Sequence, residues 1–179
     1  MSNFKKDVRR GKLGESAAEI IFSWGDWKNV KRYDDVSALQ KYQEQEIDFI
    51  CYVEENGKKL ITPVEVKTDY RAASTGNLFI EHAVKYYGGD WDGIKKLSWL
   101  HTTKSEYMFF YVPEQFSENG TMYIITTREL RNYIEQNKHN LRYVTTEEDS
   151  KDGYKATSGY LVPIKKLCSK CDVQKIKCY

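Results

Sequence analysis

Asn56-Gly57 stands between two β-prone runs, Ile47-Asp48-Phe49-Ile50-Cys51-Tyr52-Val53 and Leu60-Ile61-Thr62-Pro63-Val64-Glu65-Val66-Lys67. Both residues of the dipeptide accept the positive φ of a type I′ turn, which makes it the strongest short-range hairpin signal a sequence can carry. An antiparallel pair is therefore fixed early in the chain, and the remaining elements must be arranged around it. Pro63 lacks a ladder donor, so the second strand is expected to carry a bulge or an unpaired side at that point.

Ahead of the hairpin, Leu13, Ala17, Ile20, Ile21 and Trp24 recur at helical spacing, with Glu15 and Glu19 off the stripe, which predicts an amphipathic helix from about Lys5 to Trp24. Residues 25–45 read as polar and irregular. After the hairpin come a turn at Ser74 to Asn77, a short strand at Leu78 to Glu81 and a Gly/Asp-rich loop from Tyr86 to Gly93. Strands follow at Glu106 to Val112, stopped by Pro113, and at Thr121 to Thr126. A helix capped by Thr126 or Thr127 then presents Leu130, Tyr133 and Ile134 on one stripe. Residues 145–158 read as polar loop, and Gly159 to Ile164 as a last short strand. This order predicts an α/β or α+β layer, a mixed sheet of about five strands flanked by helices.

The chain has 179 residues, of which 40% are hydrophobic, enough to build one core and so to expect a single domain, 1–179, ending in a Cys/Lys-rich tail at about 165–179. Net charge is only +2, so any polyanion must be held by a local basic face. No apolar run approaches the roughly 18 residues that span a bilayer, and the charged N-terminus has no leader pattern, so a soluble, cytoplasmic protein without a membrane partner is expected. Lys5, Lys6, Arg9, Arg10 and Lys12 crowd the start of the first helix, either as a solvated tail or as contacts to a phosphate backbone.

Chemistry concentrates on the hairpin. Glu65 and Lys67 are two residues apart on one strand, so both side chains leave by one face while Val64 and Val66 leave by the other. Asp48 lies on the preceding strand, about 5 Å away across the ladder, so its carboxylate can meet that of Glu65. Two converging acids repel unless a hard cation neutralises them, and Mg²⁺ accepts one or two carboxylates, water and a substrate phosphate. An adjacent lysine would position water or offset charge growing on phosphorus oxygens. There is no Gly-rich phosphate loop and no nucleophile elbow.

Asp48, Glu65-Val66-Lys67 and an acidic first helix together resemble the PD-(D/E)xK nuclease superfamily, which includes restriction endonucleases and Holliday-junction resolvases of the archaeal type. The stretch Glu65-Val66-Lys67-Thr68-Asp69 followed by Thr75-Gly76-Asn77 is similar to small phage-type or resolvase-like members. The sequence departs from the pattern at Ile47, where the superfamily's name has Pro, and at Ser105-Glu106, where the similar members have Ala-Asp. The resemblance implies a restriction-endonuclease-like core and a Mg²⁺- or Mn²⁺-dependent endonuclease that hydrolyses phosphodiesters in DNA, including branched DNA in recombination or repair. Asp48 and Glu65 would hold the metal with the Val66 carbonyl as an extra ligand, Lys67 would orient the nucleophile, and Glu15 would complete the pocket, with Glu19 as the second choice. Asp69 and Glu81 are secondary candidates and Arg71 a phosphate contact, or all three are surface and turn residues. DNA is the expected partner, and a homodimer is open because resolvase-like members act in symmetric pairs.

Two other readings stand beside this one, a nucleic-acid-binding protein that keeps the nuclease fold without cutting and a small interaction protein in which Glu65-Val66-Lys67 is coincidental. Cys168, Cys171 and Cys178 are three of the four ligands a structural zinc needs; Cys51 is expected in the core, and structural zinc is not expected. His82, His101 and His139 show no metal spacing, and the 14 tyrosines are read as packing residues.

Overall fold

The computed structural model describes residues 3–87, 93, 95–114, 119–150 and 153–179, with side chains from residue 11 onward apart from 148–150, 153 and 154. Elements run α1 (Asn3–Trp24), β1 (Val30–Asp35), α2 (Gln40–Gln43), β2 (Phe49–Glu55), β3 (Lys58–Thr68), α3 (Ala72–Thr75), β4 (Asn77–Tyr87), β5 (Lys95–Leu97), α4 (Trp99–Thr102), β6 (Tyr107–Pro113), β7 (Gly120–Thr126), α5 (Thr127–Asn137), β8 (Arg142–Ser150), β9 (Gly153–Pro163), α6 (Ile164–Lys170) and β10 (Gln174–Cys178). The architecture is α+β with two sheets in place of the expected one. A mixed six-stranded sheet has the order β1-β2-β3-β6-β7-β10, and a second sheet the order β5-β4-β9-β8.

The hairpin forms as its dipeptide dictates, with φ of 52° at Asn56 and 73° at Gly57 and with Glu55 opposite Lys58. No bulge forms at Pro63, which pairs with Ile50 in an unbroken register. Its carbonyl accepts Glu106 N–H on the β6 side, so the missing donor faces that side too, just before the β3–β6 ladder opens at Val64 and Tyr107. The β3–β6 pair is the parallel one in this sheet. β6 is buried along almost its whole length, as a strand covered on both faces must be.

One face of the six-stranded sheet carries Phe49, Val64, Val66, Phe109 and Met122, against which α1 packs Ala17, Ala18, Ile21 and Phe22. Ile20 and Trp24 were expected on that stripe but are 39% and 72% exposed, because Phe22 and not Trp24 completes the buried face. The opposite face carries Met108, Phe110, Val112 and Ile125 and is covered by α4, by Leu130, Tyr133 and Ile134 of α5, and by Leu78, Ile80 and Val162 of the second sheet. Thr126 caps α5, its hydroxyl accepting Glu129 N–H at 3.2 Å.

Four sequence expectations are corrected. Residues 25–45 contain the edge strand β1 and the turn α2. The strand expected at 78–81 extends to Tyr87, and the rest of the loop expected from Tyr86 lies largely outside the described residues. Of the loop expected at 145–158, residues 145–150 belong to β8 and 153–158 to β9, a largely polar ladder that offers little hydrophobic alternation to read, and the rest lies outside the described residues. The tail is built into the fold as α6 and β10, the latter closing the edge beside β7 with Cys178 buried. Among the described residues no helix is long and apolar enough to cross a membrane.

Candidate active site on the hairpin

β2 and β3 part just beyond the Phe49–Val64 pair, and Asp48 occupies the gap. Its N–H donates to the Val64 carbonyl at 2.9 Å, and its Oδ2 accepts Val66 N–H at 2.8 Å. A strand residue turns its N–H and C=O to the same side, so the Val66 carbonyl opens toward Asp48 as well. The local sequence thus places a carboxylate and a carbonyl at the point where the antiparallel ladder stops.

The period of two then sends Glu65 and Lys67 out of the face opposite Val64 and Val66, as expected. Lys67 Nζ lies 2.5 Å from Glu65 Oε1 and 3.2 Å from Glu46 Oε2, and 5.7 Å from the ring centre of Trp99. The Glu65 side chain is 4% exposed, and its Oε2 is buried with no hydrogen-bond partner. An orphaned carboxylate oxygen in a protein interior is costly and marks a place where a ligand would be welcome.

Glu46, Asp48 and Glu65 surround one ammonium. Burial works against the charge on Lys67, but Glu65 and Glu46 outweigh it and hold the lysine above its ordinary range. Burial, reinforced by Asp48 and opposed by Lys67, pushes Glu65 up to about 8. Burial also raises Asp48, while the Val66 N–H and Lys67 hold it back. The pocket therefore keeps Lys67 charged and places its extra proton on the most buried acid.

Glu15 reaches this group from the other side. Gly14 seats α1 on β3 so closely that a Cβ there would stand 2.3 Å from Thr68 Oγ1 and 3.2 Å from Val66 Cγ1. Glu15 is raised by burial and next by Asp48, so the two acids share a field. Among the described residues no group of three or more His, Cys, Asp or Glu is spaced to hold a metal ion. The physical reason is the sheet itself, because α1 lies on the Val66 face while Glu65 leaves by the opposite one. Asp48 and Glu65, with the Val66 carbonyl, are the donors that remain available to a hard cation.

Of the other expected residues, Asp69 is fully committed to the turn after β3. Its Oδ1 accepts Arg71 N–H at 3.0 Å and Ala72 N–H at 2.9 Å, and its Oδ2 accepts Phe79 N–H at 2.9 Å. Glu81 accepts the Ser98 hydroxyl at 2.9 Å. Glu19 is half-buried on α1, and Lys12 and Arg71 are exposed. Lys5, Lys6, Arg9 and Arg10 lie on the first turns of α1, with their side chains outside the described residues.

Two participants escaped the sequence. Glu46 has φ of 52°, held by the Thr103 hydroxyl on its carbonyl at 2.9 Å and by Lys104 N–H on the Gln45 carbonyl at 2.8 Å. A non-glycine residue in that region costs ~1–3 kcal/mol and persists where surrounding structure fixes it, often at a site. Trp99, delivered by α4, walls Lys67. Glu46 has no local motif to find it by, and Trp99, although Trp99-Leu100 resembles the Gly-Trp-Leu segment of the small phage-type members, has no spacing that ties it to Lys67. Cys51 is buried with its thiol pushed up to about 12 by burial, Cys168 is exposed and Cys171 half-buried.

No family model matches the chain, and no curated protein or solved structure matches it either.

Proposed function

We propose that the chain is a divalent-metal-dependent endonuclease of the PD-(D/E)xK type, with a restriction-endonuclease-like core, that hydrolyses phosphodiester bonds in DNA. The observation that carries this reading is the buried Glu65, one oxygen on Lys67 and the other without a partner, beside an Asp48 tied to Val66 N–H. Such a donor set suits Mg²⁺ or Mn²⁺, which accept two carboxylates and a carbonyl and keep several waters. Bound there, the ion would supply Lewis-acid stabilisation of the phosphate and a lowered water pKa. Asp48, Glu65 and the Val66 carbonyl would hold it. Lys67, kept charged by Glu65 and Glu46, positions the attacking water or balances charge developing on phosphorus oxygens, and does not serve as a base. Glu15, raised by burial and next by Asp48, would complete the acidic pocket from α1. On branched DNA the same reading includes a homodimer, because two scissile phosphates need two sites.

The second reading is a nucleic-acid-binding protein of this fold that does not cut. It is favoured by one observation, that among the described residues no group of three or more His, Cys, Asp or Glu is spaced to hold a metal ion. Plasmid and four-way-junction DNA incubated with Mg²⁺ or Mn²⁺ distinguishes the two. Cutting abolished by EDTA and by Asp48→Ala supports the nuclease, whereas DNA binding without cutting by the wild type supports the silent protein.

A further inference from the structure

The second sheet carries a surface that the hairpin chemistry does not use. Residues directly opposite each other in a ladder point to the same face. The face that meets the core at Ile80, with Ala83 and Ala156 also buried, continues outward as successive rungs. The first is Tyr143, Tyr160 and Ile80, the second Thr145, Ser158, Ala83 and Leu97, and the third Glu147, Ala156, Lys85 and Lys95.

The first rung is aromatic. Tyr143 and Tyr160 ring centres are 5.0 Å apart, and His82, at the register shift after Glu81, packs within 5.9 Å of Tyr143 and 5.5 Å of Tyr160. His101 of α4 extends the row, its Nε2 at 2.8 Å from His82 Nδ1. Ile80 anchors the inner end in the core, whereas Tyr143 at the outer end is 45% exposed.

The third rung is cationic. Lys85 and Lys95 are direct cross-strand partners and both are exposed, an arrangement of like charges that destabilises a ladder. Lys85 Nζ sits 4.6 Å from the Tyr87 ring centre, which keeps an aromatic at this end too. Lys95 and Lys138 both bear on His82, and Lys138 also on Tyr160, so positive charge flanks the aromatic row. The acids nearby are Glu135, which pairs with Lys138 at 2.6 Å, and Glu147 at the far end of the third rung.

Four residues separate the first and third rungs along β8 and β9, about 13 Å at strand rise, and β4 inserts one more at its register shift. That is room for a few unstacked nucleotides. Rings on which bases stack, next to cations that follow the backbone, are the two ingredients of single-strand binding. We infer that this face of the second sheet is a single-stranded nucleic-acid platform, with Tyr143, Tyr160 and His82 stacking bases and Lys85, Lys95 and Lys138 meeting phosphates. Polyanion binding also gives the juxtaposition of Lys85 and Lys95 a use, since a phosphate backbone takes up cations placed side by side. α4 joins the platform to the acid pocket, with His101 on His82 at one end and Trp99 beside Lys67 at the other. The inference extends the proposed function and rests on it only for the choice of DNA as probe.

The test is fluorescence anisotropy of labelled single-stranded oligo-dT in EDTA, where cutting does not intervene. Tyr143→Ala should weaken binding about tenfold while Tyr143→Phe keeps wild-type affinity, because stacking needs the ring and not the hydroxyl. Lys85→Gln with Lys95→Gln should reduce the slope of log affinity against log salt by about 1.4, as loss of two phosphate contacts requires. Wild-type affinity in Tyr143→Ala and in the double lysine variant would overturn the platform, and so would equal losses in Tyr143→Phe and Tyr143→Ala. Phosphatidylserine vesicles captured through the same lysines, with no oligo-dT bound, would assign the face to a lipid surface instead. Intact binding by a protein that never cuts would leave the platform standing and remove the nuclease.

Discussion

Asp48 Oδ2 accepts the backbone N–H of Val66 at 2.8 Å, so an acid from one hairpin strand is fixed against the peptide that lies between Glu65 and Lys67 on the other. The hydrogen bond makes the three functional groups of the hairpin one geometric unit. Whatever enters beside Asp48 meets Glu65 and the Val66 carbonyl together.

The proton on Glu65 should be visible as stability. An acid raised in the folded state binds more protons folded than unfolded, so its contribution is full below its unfolded value near 4.5 and is lost as pH rises through about 8. The metal-free protein should therefore lose stability between about pH 5 and pH 8, by a few kcal/mol at most. Glu65→Gln, which cannot ionise, should flatten that fall. Thermal melting across the range checks both, and an unchanged slope in Glu65→Gln would place the titration elsewhere.

Cation binding should expel that same proton. Isothermal titration with Mn²⁺ near pH 7, in buffers of different ionisation enthalpy, should report close to one proton released per ion, falling toward zero above about pH 8. Release independent of pH would show that Glu65 is not a ligand.

The seat of α1 is set by Gly14. A methyl group there meets Thr68 Oγ1 at 2.3 Å, so that hydroxyl must turn away, and it still stands 3.2 Å from Val66 Cγ1 and 3.3 Å from Tyr111 Cβ, contacts tight enough that the helix seat must give. Although alanine is the better helix former, Gly14→Ala should destabilise by ~1–3 kcal/mol, since overpacking against a strand exceeds the propensity gain. Chemical denaturation measures it, and a stabilised variant would mean the contact yields freely.

Much of this was legible before the structure. Asn56-Gly57 gave the turn, alternation gave the shared face of Glu65 and Lys67, and Thr126 with Leu130, Tyr133 and Ile134 gave α5, because each is a local rule. β8 and β9 were hidden because Thr145, Thr146, Thr157 and Ser158 alternate nothing hydrophobic. β1 was hidden by its charges, a common device of edge strands. Glu46 and Trp99 reach Lys67 only through a left-handed residue and a distant short helix, and no spacing records such contacts. Asp69 looked catalytic from its place after Glu65-Val66-Lys67, yet its three backbone partners make it a turn anchor.

The tail supplies a further test. Ile176 packs against the first core and Cys178 is buried there, opposite Met122 and Gly120 of β7. Deleting residues 174–179 should expose the β7 edge, lower the melting temperature and promote association. Unchanged melting and a monodisperse protein would show that β10 adds nothing to the sheet.

In the proposed reaction Lys67, held between Glu65 and Glu46, serves hydrolysis at a cation that Asp48 and Glu65 would bind. The most direct measurement compares wild type and Lys67→Ala on plasmid, linear duplex, single-stranded, flap and four-way-junction DNA in Mn²⁺, with Mn²⁺ affinity measured on both. The wild type should cut at least one substrate, EDTA should abolish the cutting, and Lys67→Ala should bind Mn²⁺ yet lose cleavage by two orders of magnitude or more, roughly the loss from removing one preorganised charge-stabilising group. Equal cutting by the two proteins, or no cutting by a wild type that binds the metal, would contradict it.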